Sequence, residues 1–168
     1  MEYNVLWIED GAFVEIPNFT GPVTIIRKYA LSVAVDVSNA VKQIQSTEFD
    51  AVIVDIRIPP GADPDWENFY NKLIYNKINA RLGLQLLFSL LKPEAAAVKL
   101  KNVPSWVSPV KFGVFTVEGK KEVMADLDKL GVAFFKQKRT GMSNKALLEL
   151  IEAIIEGSKQ TSNPGDQK

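Results

Sequence analysis

The chain contains neither cysteine nor histidine. Without cysteine there is no disulfide framework, no thiolate zinc site and no thiol nucleophile. Without histidine there is no Ser-His-Asp triad, no imidazole-bound zinc hydrolase and no phosphohistidine donor within the chain. An excess of one charge is missing as well. Twenty basic residues balance twenty acidic ones, for a formal net charge of zero. That argues against nucleic acid or an anionic membrane held by bulk charge and leaves room only for a local patch. Long apolar runs are also lacking: Ala51 to Val54 and Leu86 to Phe88 fall far short of a membrane span. The acidic start, Met1-Glu2-Tyr3-Asn4, is unlike a secretory signal. A cytoplasmic protein is expected. Its chemistry must come from carboxylates, lysine, arginine, hydroxyls and backbone.

What is present is ordinary globular material. With 168 residues, 46% hydrophobic and 24% charged, the chain is long enough for one domain with a real core. Val5-Leu6-Trp7-Ile8 is apolar without alternation, which suits a strand covered on both faces of a parallel sheet. Ser32 to Val37, Ala51 to Ile56, Phe112 to Val117 and Val132 to Phe135 are similar runs. Between them lie helical spacings: Val37, Ala40, Val41 and Ile44; Leu84, Leu87, Phe88 and Leu91; Val123, Leu127 and Leu130. A last helix is predicted from about Ser143 to Glu156. This alternation predicts an α/β domain with a mostly parallel sheet. The first crossover, Phe13 to Leu31, contains Pro17, Gly21 and Pro22, so a loop and a short helix from about Val23 to Leu31 are expected. The polar stretch 157–168 is expected to be a disordered tail.

In such a sheet the site lies outside the carboxyl ends of the strands. Glu9 and Asp10 end the first strand, and Asp55 ends the third. If those strands are neighbours, three carboxylates converge, which is costly unless a cation neutralises them. All-oxygen ligands suit Mg²⁺ or Mn²⁺. Thr116 ends the fourth strand and Lys136 or Lys138 follows the fifth, adding a hydroxyl and an ammonium suited to phosphoryl chemistry. Each residue alone has a plain structural role as a turn former, cap or solvated side chain. Their joint order is what points to a site.

These residues resemble the receiver domain of two-component response regulators. Ile8-Glu9-Asp10 is similar to that family's acid pair after strand one, and Asp55-Ile56-Arg57-Ile58-Pro59 to its phosphoacceptor motif. Leu82-Gly83-Leu84 resembles the start of its third helix, and Phe115-Thr116-Val117-Glu118 its switch hydroxyl with the following loop. Gly131 with the aromatics and lysines after it resembles the end of its fifth strand.

The resemblance implies a flavodoxin-like, doubly wound five-stranded parallel sheet of order 2-1-3-4-5. It implies one receiver domain over 1–156, with insertions at about 62–81 (after strand three) and 93–109. It makes Asp55 the phosphoacceptor, taking its phosphoryl group from a partner histidine kinase or phosphotransfer protein. Glu9, Asp10, Asp55 and the backbone carbonyl of Arg57 would hold Mg²⁺ (or Mn²⁺). Thr116, Lys138 (alternatively Lys136) and the aromatic Phe135 would answer the phosphoryl group. The chain would be no enzyme beyond self-catalysed phosphorylation and dephosphorylation. With only a short tail after the last helix, the signal is expected to pass by contact with a downstream protein, with no direct nucleic acid or membrane; a homodimer stays open. The proline that normally follows the family's lysine is absent.

The insertion after Asp55, through Asp63-Pro64-Asp65-Trp66 to Ile74-Tyr75, predicts a short helix capped by Asp63. It reads as a lid or docking element beside Asp55, or as an extra packing layer. The alternative function is a receiver-like interaction module that switches without phosphorylation. An aspartyl phosphatase normally needs an acid two residues after the nucleophile, and here Arg57 stands there.

Overall fold

The computed structural model describes residues 2–11, 17–73 and 80–162. Phe13 of the expected first loop, Ile74 and Tyr75 of the insertion, and 163–168 of the expected tail lie outside the described residues.

Five strands form an all-parallel sheet: β1 (Tyr3–Ile8), β2 (Tyr29–Ala34), β3 (Ala51–Val54), β4 (Phe112–Thr116) and β5 (Phe134–Gln137), in the order β2-β1-β3-β4-β5. This is the expected order. Side chains alternate across the sheet, so Leu6, Ile8, Val52 and Val54 enter one core while Val5, Trp7, Ala51 and Ile53 enter the other. Both faces are therefore apolar, as continuous runs in a parallel sheet require.

Helices cover each face. On one lie α2 (Val37–Ser46), α3 (Pro64–Lys72), α4 (Leu82–Leu91) and α5 (Lys120–Leu130); on the other lie α1 (Pro17–Ile25) and α6 (Ala146–Ser162). Asp36 caps α2 by accepting from the Asn39 N–H at 2.7 Å. Asp63 caps α3 by accepting from Asp65 N at 2.9 Å, with Pro64 in the first turn. Helix α5 ends on Gly131 at φ 72°, a left-handed conformation that glycine adopts without a Cβ penalty.

Several boundaries differ from expectation. The second strand occupies Tyr29–Ala34 rather than 32–37, because Asp36 and Val37 are spent on capping and starting α2. Consequently the first helix lies earlier, at Pro17–Ile25 instead of 23–31, and carries Pro22 inside it. Val132 does not open the fifth strand, since its N–H donates to Leu127 O and closes α5. That strand runs from Phe134 to Gln137, and as a sheet edge it keeps Lys136 and Gln137 only half-buried. The last helix starts at Ala146 and continues to Ser162, so the disorder expected from Gly157 is corrected for 157–162. Two contacts anchor this extension. The Phe134 ring lies where a Cβ on Gly157 would sit, and Ser158 Oγ donates to Val110 O at 3.0 Å.

The first insertion builds α3, whose Trp66 is 1% exposed and packs into the larger core with Phe69, Tyr70 and Leu73 beside it. The second carries Trp106, stacked edge-on to Phe49 at 6.0 Å.

Candidate functional site

The register between strands decides what meets what. Ile8 pairs with Val54 and Val54 with Val114, so β1 and β3 end at one level and β4 runs two residues beyond it to Thr116. Glu9 and Asp55 follow directly, each pinned to the sheet: Glu9 N donates to Ala34 O at 2.8 Å and Asp55 N to Ile8 O at 2.9 Å. Glu9, Asp10 and Asp55 each place a carboxylate oxygen within 4.8 Å of the others'. Glu9 and Asp55 are buried and Asp10 is exposed.

Among the described residues one cation enters this cluster. Lys138, just beyond β5, donates from Nζ to Asp55 Oδ2 at 2.7 Å and to Glu9 Oε2. Its backbone N–H bonds Thr116 O at 2.7 Å, which carries the β4–β5 pairing past the strand ends and aims the side chain inward. The ammonium also lies over the Phe115 ring at 5.4 Å. Lys136 faces elsewhere, bonded to Glu149 on α6.

The electrostatics follow from burial. Desolvation is the largest influence on Glu9 and, with repulsion from Asp55, outweighs the pull of Lys138, so its pKa rises from 4.5 to about 7. For Lys138, burial alone would lower the pKa, but the Asp55 and Glu9 carboxylates raise it above its usual value. At neutral pH the lysine is charged, and Glu9 takes a proton more readily than an ordinary glutamate.

Three further parts complete the pocket. Thr116 is fully buried, and its Oγ1 accepts from Glu118 N at 3.4 Å. Phe135 is half-buried against the larger core, behind the β4–β5 edge. Gly83, in the first turn of α4, lies against Asp55: a Cβ there would stand 1.8 Å from the Asp55 carbonyl oxygen. Only glycine lets this helix close onto the strand end.

A second charged cluster was not anticipated. Glu118, after β4, is buried and receives Arg57 Nε at 2.6 Å and Arg81 Nη2 at 3.1 Å. Burial would push its pKa up, but hydrogen bonds from Arg57 and Glu122 and the charges of Arg81 and Arg57 bring it below 4.5. The sequence gives no sign of this role for the Arg57 side chain. Nothing in one sequence links positions 57, 81 and 118, because the folded chain alone brings them together.

Beside both clusters lies a cavity of about 350 Å³ lined by Asp10, Arg57, Ile58, Pro59, Tyr70, Ala80 and Arg81. Tyr70 comes from the inserted α3, so that element packs on the larger core and also lines this cavity, as Asp10 does.

No protein-family model matches the sequence, and no curated protein matches it. Solved structures do. A CheY-like response regulator receiver domain protein from Methanospirillum hungatei is 16% identical, covering 95% of this chain and 99% of that one, at a TM-score of 0.59. A putative response regulator from Chloroflexus aurantiacus is 14% identical (93% and 99% covered, TM-score 0.56). The HemR receiver domain from Leptospira biflexa is 21% identical (92% and 94%, TM-score 0.51). The chain has the fold of response regulator receiver domains. Among the described residues no helix is long and apolar enough to cross a membrane.

Proposed function

We propose that the chain is a response regulator receiver that accepts a phosphoryl group on Asp55 from a partner histidine kinase or phosphotransfer protein and signals by protein contact. The observation that carries this reading is the convergence of Glu9, Asp10 and Asp55 at the strand ends with Lys138 bonded to two of them. An all-oxygen set with an excess of negative charge fits Mg²⁺, held by Glu9, Asp10, Asp55 and the Arg57 carbonyl. When bound, the metal shields charge on the transferring phosphoryl oxygens.

The chain's own residues supply the rest. An Asp55 carboxylate oxygen attacks phosphorus in line; the phosphorus–nitrogen bond of phosphohistidine breaks, and its electron pair leaves with the imidazole. Lys138 pairs with the phosphoryl oxygens in place of part of its present bond to Asp55. Phosphorylation adds roughly −1.5 to −2 charges and three strong acceptors, which the Thr116 hydroxyl can follow. Movement of Thr116 and Phe135 would carry the signal to the face built from α5, β5 and α6.

Incubation with Mg²⁺ and acetyl phosphate followed by intact mass tests the proposal. The expected result is a single phosphate adduct that Asp55→Asn abolishes. Absence of an Asp55-dependent adduct overturns it.

A further inference from the structure

The chain is neutral overall, yet the side of the pocket formed by Arg57, Arg81 and the start of α5 is not. Arg57 (side chain 45% exposed) and Arg81 pair with Glu118 next to Val117, which is 56% exposed, while Lys120 and Lys121 at the start of α5 and Arg139 just past β5 are exposed. These positions are contiguous. Arg57 and Arg81 share Glu118, Arg81 Nη1 reaches Glu122 O at 3.4 Å in the first turn of α5, and Gln137 joins Arg139 to Val117 O. The acids nearby are Asp10 and Glu122, Glu118 buried beneath the two arginines, and, behind Asp10, Glu9 and Asp55, which Lys138 pairs.

The arginines are not exhausted by Glu118. Among the described residues Arg57 is bonded only through Nε, so its terminal N–H groups remain available on the cavity wall. Arg81 is held in a left-handed conformation at φ 46°, and its Nε is buried without a partner among the described residues. Both features cost stability, and the ion pair with buried Glu118 stands against that cost.

Directly beside these cations the cavity offers Ile58, Pro59, Tyr70 and Ala80 as an apolar wall. A free inorganic anion would use the guanidinium groups but leave the cavity and Val117 unsatisfied. Nucleic acid calls for a longer basic stripe with exposed stacking aromatics. A protein segment with carboxylates flanking one large apolar side chain matches both parts: the anchor fills the cavity, and the acids pair with the rim. We infer that this face is a docking site for an acidic partner segment carrying a single bulky apolar anchor. It goes beyond the phosphoacceptor reading and does not require Asp55 to be phosphorylated.

Fluorescence anisotropy with a short labelled peptide of glutamates around one tryptophan tests it, on the full unphosphorylated chain without Mg²⁺. Saturable binding that weakens with salt is expected. Arg57→Gln should weaken it about fivefold to tenfold, and replacing the peptide's tryptophan by alanine about tenfold. Since Arg57→Gln also disturbs Glu118, the double variant Lys120→Gln/Lys121→Gln provides a second measure that leaves the buried pair intact. Lys136→Gln, on the β5–α6 side, should change nothing. Any of four results overturns the inference: no binding, equal binding of a lysine-for-glutamate peptide, displacement by millimolar inorganic phosphate regardless of the tryptophan, or tighter binding of duplex DNA lost in the same variants. None of these bears on Asp55 phosphorylation, so the two readings fail separately.

Discussion

Two charge clusters stand side by side at the carboxyl end of the same sheet and are built to opposite rules. In one, three carboxylates (Glu9, Asp10, Asp55) face a single ammonium, Lys138. In the other, buried Glu118, with Glu122 beside it, faces two guanidinium groups. The first is short of positive charge, and one of its acids is pushed up to about 7. The second holds its acid below the ordinary range. A cluster that is electrostatically incomplete is poised to take a cation or exchange partners, whereas one whose buried carboxylate is paired braces its surroundings.

Removing the lone cation should have the largest effect. Lys138→Met leaves buried carboxylates facing one another and should cost about 3 kcal/mol in denaturant unfolding without Mg²⁺. Glu9 relieves part of this by protonating. Because its folded pKa lies above its unfolded one, stability declines as pH rises from about 4.5 through 7. The variant should therefore lose more at pH 8 than at pH 6, and Mg²⁺ should raise its Tm more than that of the unaltered chain. An equal response of both to Mg²⁺ would dissolve the distinction between the clusters.

Glu118→Gln comes next, at about 2 kcal/mol, since both arginines can still reach water. Its midpoint should not become more sensitive to Mg²⁺. The sign of its pH dependence is opposite to that of Glu9. A depressed folded pKa contributes stability above 4.5 that is lost as pH falls through the folded value. The variant's acid-unfolding curve should be correspondingly flatter, followed by circular dichroism against pH. The smallest effect belongs to the exposed Lys136–Glu149 pair: Lys136→Met should leave thermal unfolding unchanged within error.

Much of the site could be read along the chain, because its parts sit where strands end. Glu9, Asp10, Asp55 and Thr116 each close an apolar run, and parallel strands of similar length bring such ends together. Which lysine joins them could not be read. Lys136 and Lys138 are two residues apart, and the choice rests on where β5 starts. That start is set by Val132 closing α5 and by Lys138 N bonding Thr116 O. The first crossover was misplaced for a related reason. Pro22 argues against a helix locally, yet packing of Phe19 and Val23 against Trp7, Phe115 and α6 holds one there. Likewise, contacts with Phe134 and Val110 prolong α6 through a polar stretch.

By itself the sequence determined the layered α/β architecture, the strand-end acids and the absence of thiol or imidazole chemistry, since apolar periodicity and residue type are local properties. Only the tertiary structure decided that Lys138 serves the acidic cluster and that Glu118 gathers Arg57 and Arg81. It alone placed Tyr70 of the insertion on the wall of the same cavity. Those outcomes depend on strand register and loop closure between residues dozens of positions apart, where burial makes charge pairing strong enough to choose its partners.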